Sequence, residues 1–195
     1  TEGLASFGQE GIYDPIVTLS QIAAVTSTIK LGMGVLLVPL RHPLMLAKSL
    51  ATLDIASNGR LDTGVGIGAY EPDYKSTGTP FKKRGRMYDE ALEVISRLWT
   101  EDSVTHNGEF YQLEGISLQP KPTQKPNPEF WFGGEVRRTW ERAARIGCGW
   151  GPWAPTIEHM QNGMKAIREI AEAEGRDIAN FRFICEAWTA VDDDL

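Results

Sequence analysis

The stretch Ile29–Tyr70 constrains the fold more than any other part of the chain. It reads as an apolar strand (Ile29–Val38), a helix opened by Pro43 and running to about Ser57, and a second apolar strand from Leu61 to Gly68. Both strands are continuously apolar rather than alternating, which predicts that both faces are covered. Two strands joined by a covering helix form a parallel crossover unit. Glycines punctuate both strands, at Gly32 and Gly34 and then at Gly64, Gly66 and Gly68. The later ones fall near carboxyl ends, where parallel α/β sheets hold their ligands.

The rest of the chain repeats the alternation. Asp14-Pro15 is a helix start, with Asp as N-cap and Pro at the first helical position. Beyond Gly68 the sequence predicts a polar loop (Glu71–Pro80) and a helix from about Lys82 to Thr100. A hairpin follows, built on Val104–His106, an Asn107-Gly108 turn and Glu109–Leu113. With the prolines at 120, 122, 126 and 128 it makes residues 101–128 an excursion over a barrel end. Strand Glu129–Gly133, helix Arg137–Ile146, strand Cys148–Gly151, helix Thr156–Glu174 and strand Asn180–Ala190 complete the series. Repeated strand–helix alternation predicts an α/β fold with parallel strands. The expected architecture is a (β/α)8 TIM barrel, with residues 1–195 as one partial-barrel domain. A full barrel takes eight strands and about 250 residues. The doubly wound alternative lacks a G-x-G-x-x-G turn at a helix start. The chain begins with Thr1 and ends just past a strand, so it is expected to be an incomplete fragment lacking N-terminal and C-terminal units.

Composition narrows the function classes. With 20 basic and 26 acidic residues the net charge is −6, which argues against nucleic acid or an anionic membrane as partner. No apolar run approaches the roughly 20 residues of a membrane helix. A cytoplasmic protein with a small-molecule substrate is expected. Cys148 and Cys185 lack metal-ligand spacing and are expected to be reduced and buried in strands.

Several residues carry candidate chemistry, each beside a plainer role. Gly32 and Gly34 mark either a bulge or the close approach of another group, or else a curvature kink. Gly66 and Gly68 leave room for a planar ring to pack on backbone. Gly133-Gly134 precede a helix whose free N–H groups suit a phosphate, with Arg137 and Arg138 offsetting the charge of Glu135; the alternative is a tight turn. Tyr70, Trp150 and Trp153 fall at strand ends, either lining a substrate pocket or filling a core. His42 is a ligand or a helix cap. His106 and His159 read as surface residues. No metal site is predicted.

The order and spacing of several segments bring a family into view. These are Lys30-Leu31-Gly32-Met33-Gly34-Val35, Arg41-His42-Pro43, Asn58-Gly59-Arg60-Leu61, Gly64-Val65-Gly66-Ile67-Gly68, Gly108-Glu109-Phe110-Tyr111, Phe132-Gly133-Gly134 and Ala143–Trp150. Together they resemble the bacterial luciferase-like monooxygenase superfamily, whose members use flavin or the deazaflavin coenzyme F-420. The resemblance implies a TIM barrel with an excursion after the fourth strand. It implies a cofactor, FMN or coenzyme F-420, held at Gly34, Val35, Gly66, Ile67, Gly68, Gly133, Gly134, Glu135 and Val136. Gly34-Val35 would match a strand bulge behind the ring, often with a cis bond, and Gly133–Val136 the phosphate loop. Relatives often carry a hydroxyl or amide residue where Glu135 and Val136 stand. Some deazaflavin-dependent members have a catalytic glutamate where this chain has Ala69, so no catalytic residue is assigned. The implied activity is flavin-dependent monooxygenation or F-420-dependent hydride transfer, by a homodimer when full length. A non-catalytic flavin-binding or partner subunit is the alternative from another class, and a barrel enzyme acting on sugar phosphates is a third.

Overall fold

The computed structural model describes residues 13–185. The loop around Ser6–Gly11, the predicted strand beyond Cys185 and the terminal acidic run lie outside the described residues. The chain divides into two compact units, Thr1–Pro128 and Glu129–Leu195.

The first unit opens with α1 (Pro15–Val25). Asp14 caps it, its Oδ1 accepting from the N–H groups of Ile16 and Val17 at 3.0 Å. Strand β1 (Leu31–Leu37) leads through a 3-10 turn to α2 (Pro43–Ala56), and β2 (Leu61–Gly66) follows. The two strands are parallel, with Leu31 beside Leu61 and Leu37 beside Gly66, so their carboxyl ends share one edge. Leu31, Met33, Leu36, Leu61 and Val65 are buried, as are Leu46, Leu50 and Leu53 of α2. Burying each such side chain contributes about 1.5–3 kcal/mol. Helix α4 (Arg84–Thr100) packs on α2 and buries Leu92, Ile95, Leu98 and Trp99. The Trp99 indole N–H reaches the Ala47 carbonyl at 2.9 Å, which satisfies the polar end of a buried ring.

The covering of β1 differs from expectation. Gly32 and Gly34 are exposed while Leu31, Met33 and Leu36 are buried, so the strand has one covered face and one glycine face. Glycine adds no polar side chain, and the apolar run therefore hid an alternation of period two. Strand β2 stops at Gly66 because Gly68 takes φ +70°, which ends extended structure.

The polar loop expected at 71–80 contains α3 (Glu71–Ser76). Pro72 lies in its first turn, as do the acidic Glu71 and Asp73, which complement the helix dipole. The hairpin is present as antiparallel β3 (Val104–Asn107) and β4 (Gln112–Ile116), but Asn107 pairs with Gln112. The connection is thus 108–111, longer than the two-residue turn that Asn-Gly suggests. Its cause is Glu90 on α4, whose carboxylate accepts the N–H groups of Phe110 and Tyr111 at 2.8–3.1 Å. His106 Nε2 lies 3.2 Å from the same carboxylate and is largely enclosed, not on the surface.

Basic side chains close several helix ends. The Arg60 guanidinium donates to the carbonyls of Ala23, Thr26, Ile29 and Ser57 at 2.7–3.1 Å, taking up orphan carbonyls at the end of α1. Lys121 does the same for α4 through the carbonyls of Leu98 and Glu101. The buried Asp54 carboxylate accepts from the Gln124 backbone and side chain, which fastens the proline-rich segment to α2.

The second unit is a parallel β5 (Phe130–Gly133), α5 (Arg137–Ile146), β6 (Gly149–Gly151), α6 (Ile157–Ala173), β7 (Arg182–Phe183) series. Thr156 caps α6 through the His159 N–H. Arg176 donates to the carbonyls of Ala143, Ala144 and Gly147, closing α5. Neither cysteine forms a disulfide. Cys148 is half-buried just before β6 and Cys185 is exposed beyond β7, so neither is buried within a strand. Among the described residues no helix is long and apolar enough to cross a membrane.

Candidate functional site

In the first unit the candidate site is the carboxyl edge of β1 and β2. Between Met33 and Leu36 the register shifts, so Gly34 and Val35 form a bulge, and the peptide bond between them is cis. This bulge turns Val35 onto β2. A Cβ placed on Gly66 would sit 2.6 Å from Val35 Cγ2. The space that Gly66 leaves is therefore filled by Val35 and not open for a ring. Gly68 likewise faces Leu37 Cδ1, 3.3 Å from where its Cβ would be. A ligand at this edge meets Val35 and Leu37, both half-buried, beside the exposed glycine face of β1.

The segment past β2 is fixed by Tyr74 of α3. Its buried ring packs edge-on to Phe81, and its hydroxyl donates to the Ile67 carbonyl, between Gly66 and Gly68. Burial pushes the Tyr74 phenol up to about 12, so it stays a proton donor throughout the ordinary pH range. This role was not legible in the sequence, because Tyr74 lies in the segment read as loop. Tyr70 is half exposed at the start of α3. His42 is the N-cap of α2, its Nδ1 accepting from the Leu44 N–H, and its ring meets Tyr111 edge-on.

In the second unit the candidate site is the loop Gly133–Val136 leading into α5. Gly134 takes φ +120°, and a Cβ there would lie 3.1 Å from Thr139 Oγ1, so the position requires glycine. Val136 is the N-cap residue and has no side-chain oxygen, so α5 begins without a side-chain cap. Glu135 is exposed. Arg137 and Arg138 turn along the helix to Glu141, at 3.4 and 3.1 Å, rather than toward Glu135. Such exposed pairs are weak, on the order of 0.2–1 kcal/mol, and yield readily to a stronger anion.

Trp150 does not line an open rim. It is fully buried, and its indole N–H donates to the Gly134 carbonyl at 2.8 Å. The rings of Trp140 and His159 pack around it, so His159 also leaves the surface. Trp153, by contrast, is 62% exposed. Gly163 in α6 makes room for the indole; a Cβ there would lie 2.2 Å from Trp150 Cη2. A glycine inside a helical pattern was the available signal for this contact.

Comparison with known proteins shows the family. The luciferase-like monooxygenase family matches residues 3–195, and the chain belongs to it. It is 36% identical over 137 residues to the oxygenase component of a flavin-dependent trigonelline monooxygenase from Acinetobacter baylyi, covering 69% of this chain and 38% of that one. It is 27% identical to an FMNH2-dependent dimethylsulfone monooxygenase from Pseudomonas putida, covering 89% of this chain and 48% of the relative. Among solved structures, the coenzyme F420-dependent tetrahydromethanopterin reductase from Methanopyrus kandleri superposes with a TM-score of 0.78 at 24% identity. That match covers 89% of this chain and 54% of the other, and it shows the likeness of fold. The chain thus spans about half or less of the length of these proteins.

Each unit, taken by itself, presents a feature suited to part of a flavin or a deazaflavin. One unit offers an apolar bulge beside a glycine face, and the other offers a glycine-formed loop before an uncapped helix.

Proposed function

We propose that this protein is an oxidoreductase that uses reduced FMN or coenzyme F-420 on a small organic substrate. The observation that carries the reading is the Gly34-Val35 bulge, with Val35 seated against Gly66 at the carboxyl edge of two parallel strands. The redox chemistry belongs to the cofactor: oxygen activation with reduced flavin, hydride transfer with the deazaflavin. The chain's own residues bind and orient. Val35 and Leu37 form an apolar support for one face of a tricyclic ring, and Tyr74 fixes the Ile67–Gly68 backbone. Backbone N–H groups of residues 135–138 receive a phosphate, aided by Arg137 and Arg138 once released from Glu141. The exposed Tyr70 and Trp153 offer aromatic surface to substrate. In this reading the complete protein is a (β/α)8 barrel that works as a cytoplasmic homodimer.

Ala69 is compatible with a second reading, in which the chain is a non-catalytic flavin-binding or partner subunit. Equilibrium titration of the protein with FMN and with coenzyme F-420, followed by quenching of cofactor fluorescence, tests both readings at once. Saturable 1:1 binding of one cofactor is expected, and binding of neither overturns the redox assignment. Turnover of reduced cofactor by the homo-oligomer alone separates the enzyme from the silent subunit.

A further inference from the structure

The Trp150 indole has no part in the proposed function as a surface for substrate, yet it is fully buried beside the Gly133–Val136 loop. It touches Trp140 of α5 edge-on, with ring centres 6.1 Å apart, and His159 of α6 at 6.2 Å. Gly163, one turn after His159, leaves no room for even a methyl group between helix and ring. The indole is thereby held so that its N–H meets the Gly134 carbonyl at 2.8 Å.

That hydrogen bond fixes more than a carbonyl. The Gly134 C=O and the Glu135 N–H belong to one planar peptide unit and point in opposite directions across it. Drawing the carbonyl inward to the buried Trp150 turns the Glu135 N–H outward, to the side on which Glu135 is exposed. Glycine at φ +120° permits this orientation of the peptide unit. With no side chain capping α5, an outward N–H ahead of the first turn adds a donor to a site that already favours an anion.

We propose that Trp150 is a positioning residue for phosphate recognition, acting through the Gly134–Glu135 peptide. The inference rests on the cofactor reading above and deepens it: the buried indole sets how strongly the protein prefers a phosphorylated flavin or deazaflavin over the same ring system without phosphate.

The test compares ligands that differ only in the phosphate-bearing tail. Binding of FMN and riboflavin, and of coenzyme F-420 and its phosphate-free riboside, is measured for the wild-type protein and for Trp150→Phe. Phenylalanine keeps an aromatic ring in the pocket and removes the N–H. The wild type is expected to prefer the phosphorylated member of the pair it binds. Trp150→Phe is expected to lose about tenfold in affinity for that member, as for one lost ordering hydrogen bond, while holding the phosphate-free ring within about twofold. A folded Trp150→Phe protein with an unchanged preference overturns the proposal, as does a wild type with no preference. Wild-type protein that binds neither ring system removes the cofactor reading and this inference with it. Should Trp150→Phe fail to fold, Gly163→Ala asks the same question without altering the loop. Its methyl group displaces the far edge of the indole, and the same selective loss is expected; an unchanged preference overturns the proposal.

Discussion

Val35 occupies the space that a side chain at Gly66 would need, with its Cγ2 2.6 Å from the position of that Cβ. The contact explains why a glycine stands at the end of β2, and it couples two residues 31 positions apart. Gly66→Ala should therefore destabilise the protein by about 1–3 kcal/mol through overpacking. In a Val35→Ala background the same change should cost at least about 1 kcal/mol less. Denaturant unfolding of the four proteins in the cycle measures this coupling, and strict additivity would show that the two residues do not meet.

Glu90 fastens the 108–111 connection to α4. Burial alone would raise its carboxyl, but the N–H groups of Tyr111 and Phe110 and the His106 ring outweigh it and hold the carboxyl below its ordinary value. A carboxyl held lower in the folded state stabilises the fold above its unfolded pKa, about 4.3, and loses that contribution as pH falls through the folded value. Glu90→Ala should cost about 1–3 kcal/mol at pH 7, because two enclosed N–H groups lose their acceptor. Glu90→Gln should flatten the fall in stability below pH ~4.3. Unfolding free energies measured across the acid range check both; an acid limb as steep as that of the wild type would contradict the assignment.

Tyr74 and Tyr111 should ionise late. Burial pushes both phenols up to about 12. Because the folded values lie above the unfolded value of about 10, the stabilisation is complete below pH ~10 and fades as pH climbs toward the folded values. Absorbance titration at alkaline pH should show two tyrosines ionising only as the fold is lost. Titration of every tyrosine near pH 10 in folded protein would show that these rings are accessible.

The legible parts of this molecule were those written in local sequence. Asp14-Pro15, His42-Pro43 and Thr156 placed the starts of α1, α2 and α6, because capping chemistry is confined to a few neighbouring residues. Glycines inside an apolar strand signalled a bulge near Gly34, and its placing at Gly34-Val35 came from likeness to a family. Features set by distant partners were not legible. The 108–111 connection depends on a carboxylate some twenty positions earlier, and the burial of Trp150 depends on Gly163. The exposed face of β1 was hidden because its outward residues are glycines, which the hydrophobic pattern cannot tell from a buried run. Helix α3 was missed because its segment is polar and short, while Pro72 in its first turn is a helix-start residue.

The account depends above all on where the ring system sits. A crystal structure of the protein with bound FMN or coenzyme F-420 measures this directly. The tricyclic ring should lie against the Gly34-Val35 bulge with Val35 in contact, and the phosphate should lie at residues 134–138. A ring bound elsewhere, or a cofactor whose phosphate avoids the start of α5, would contradict it.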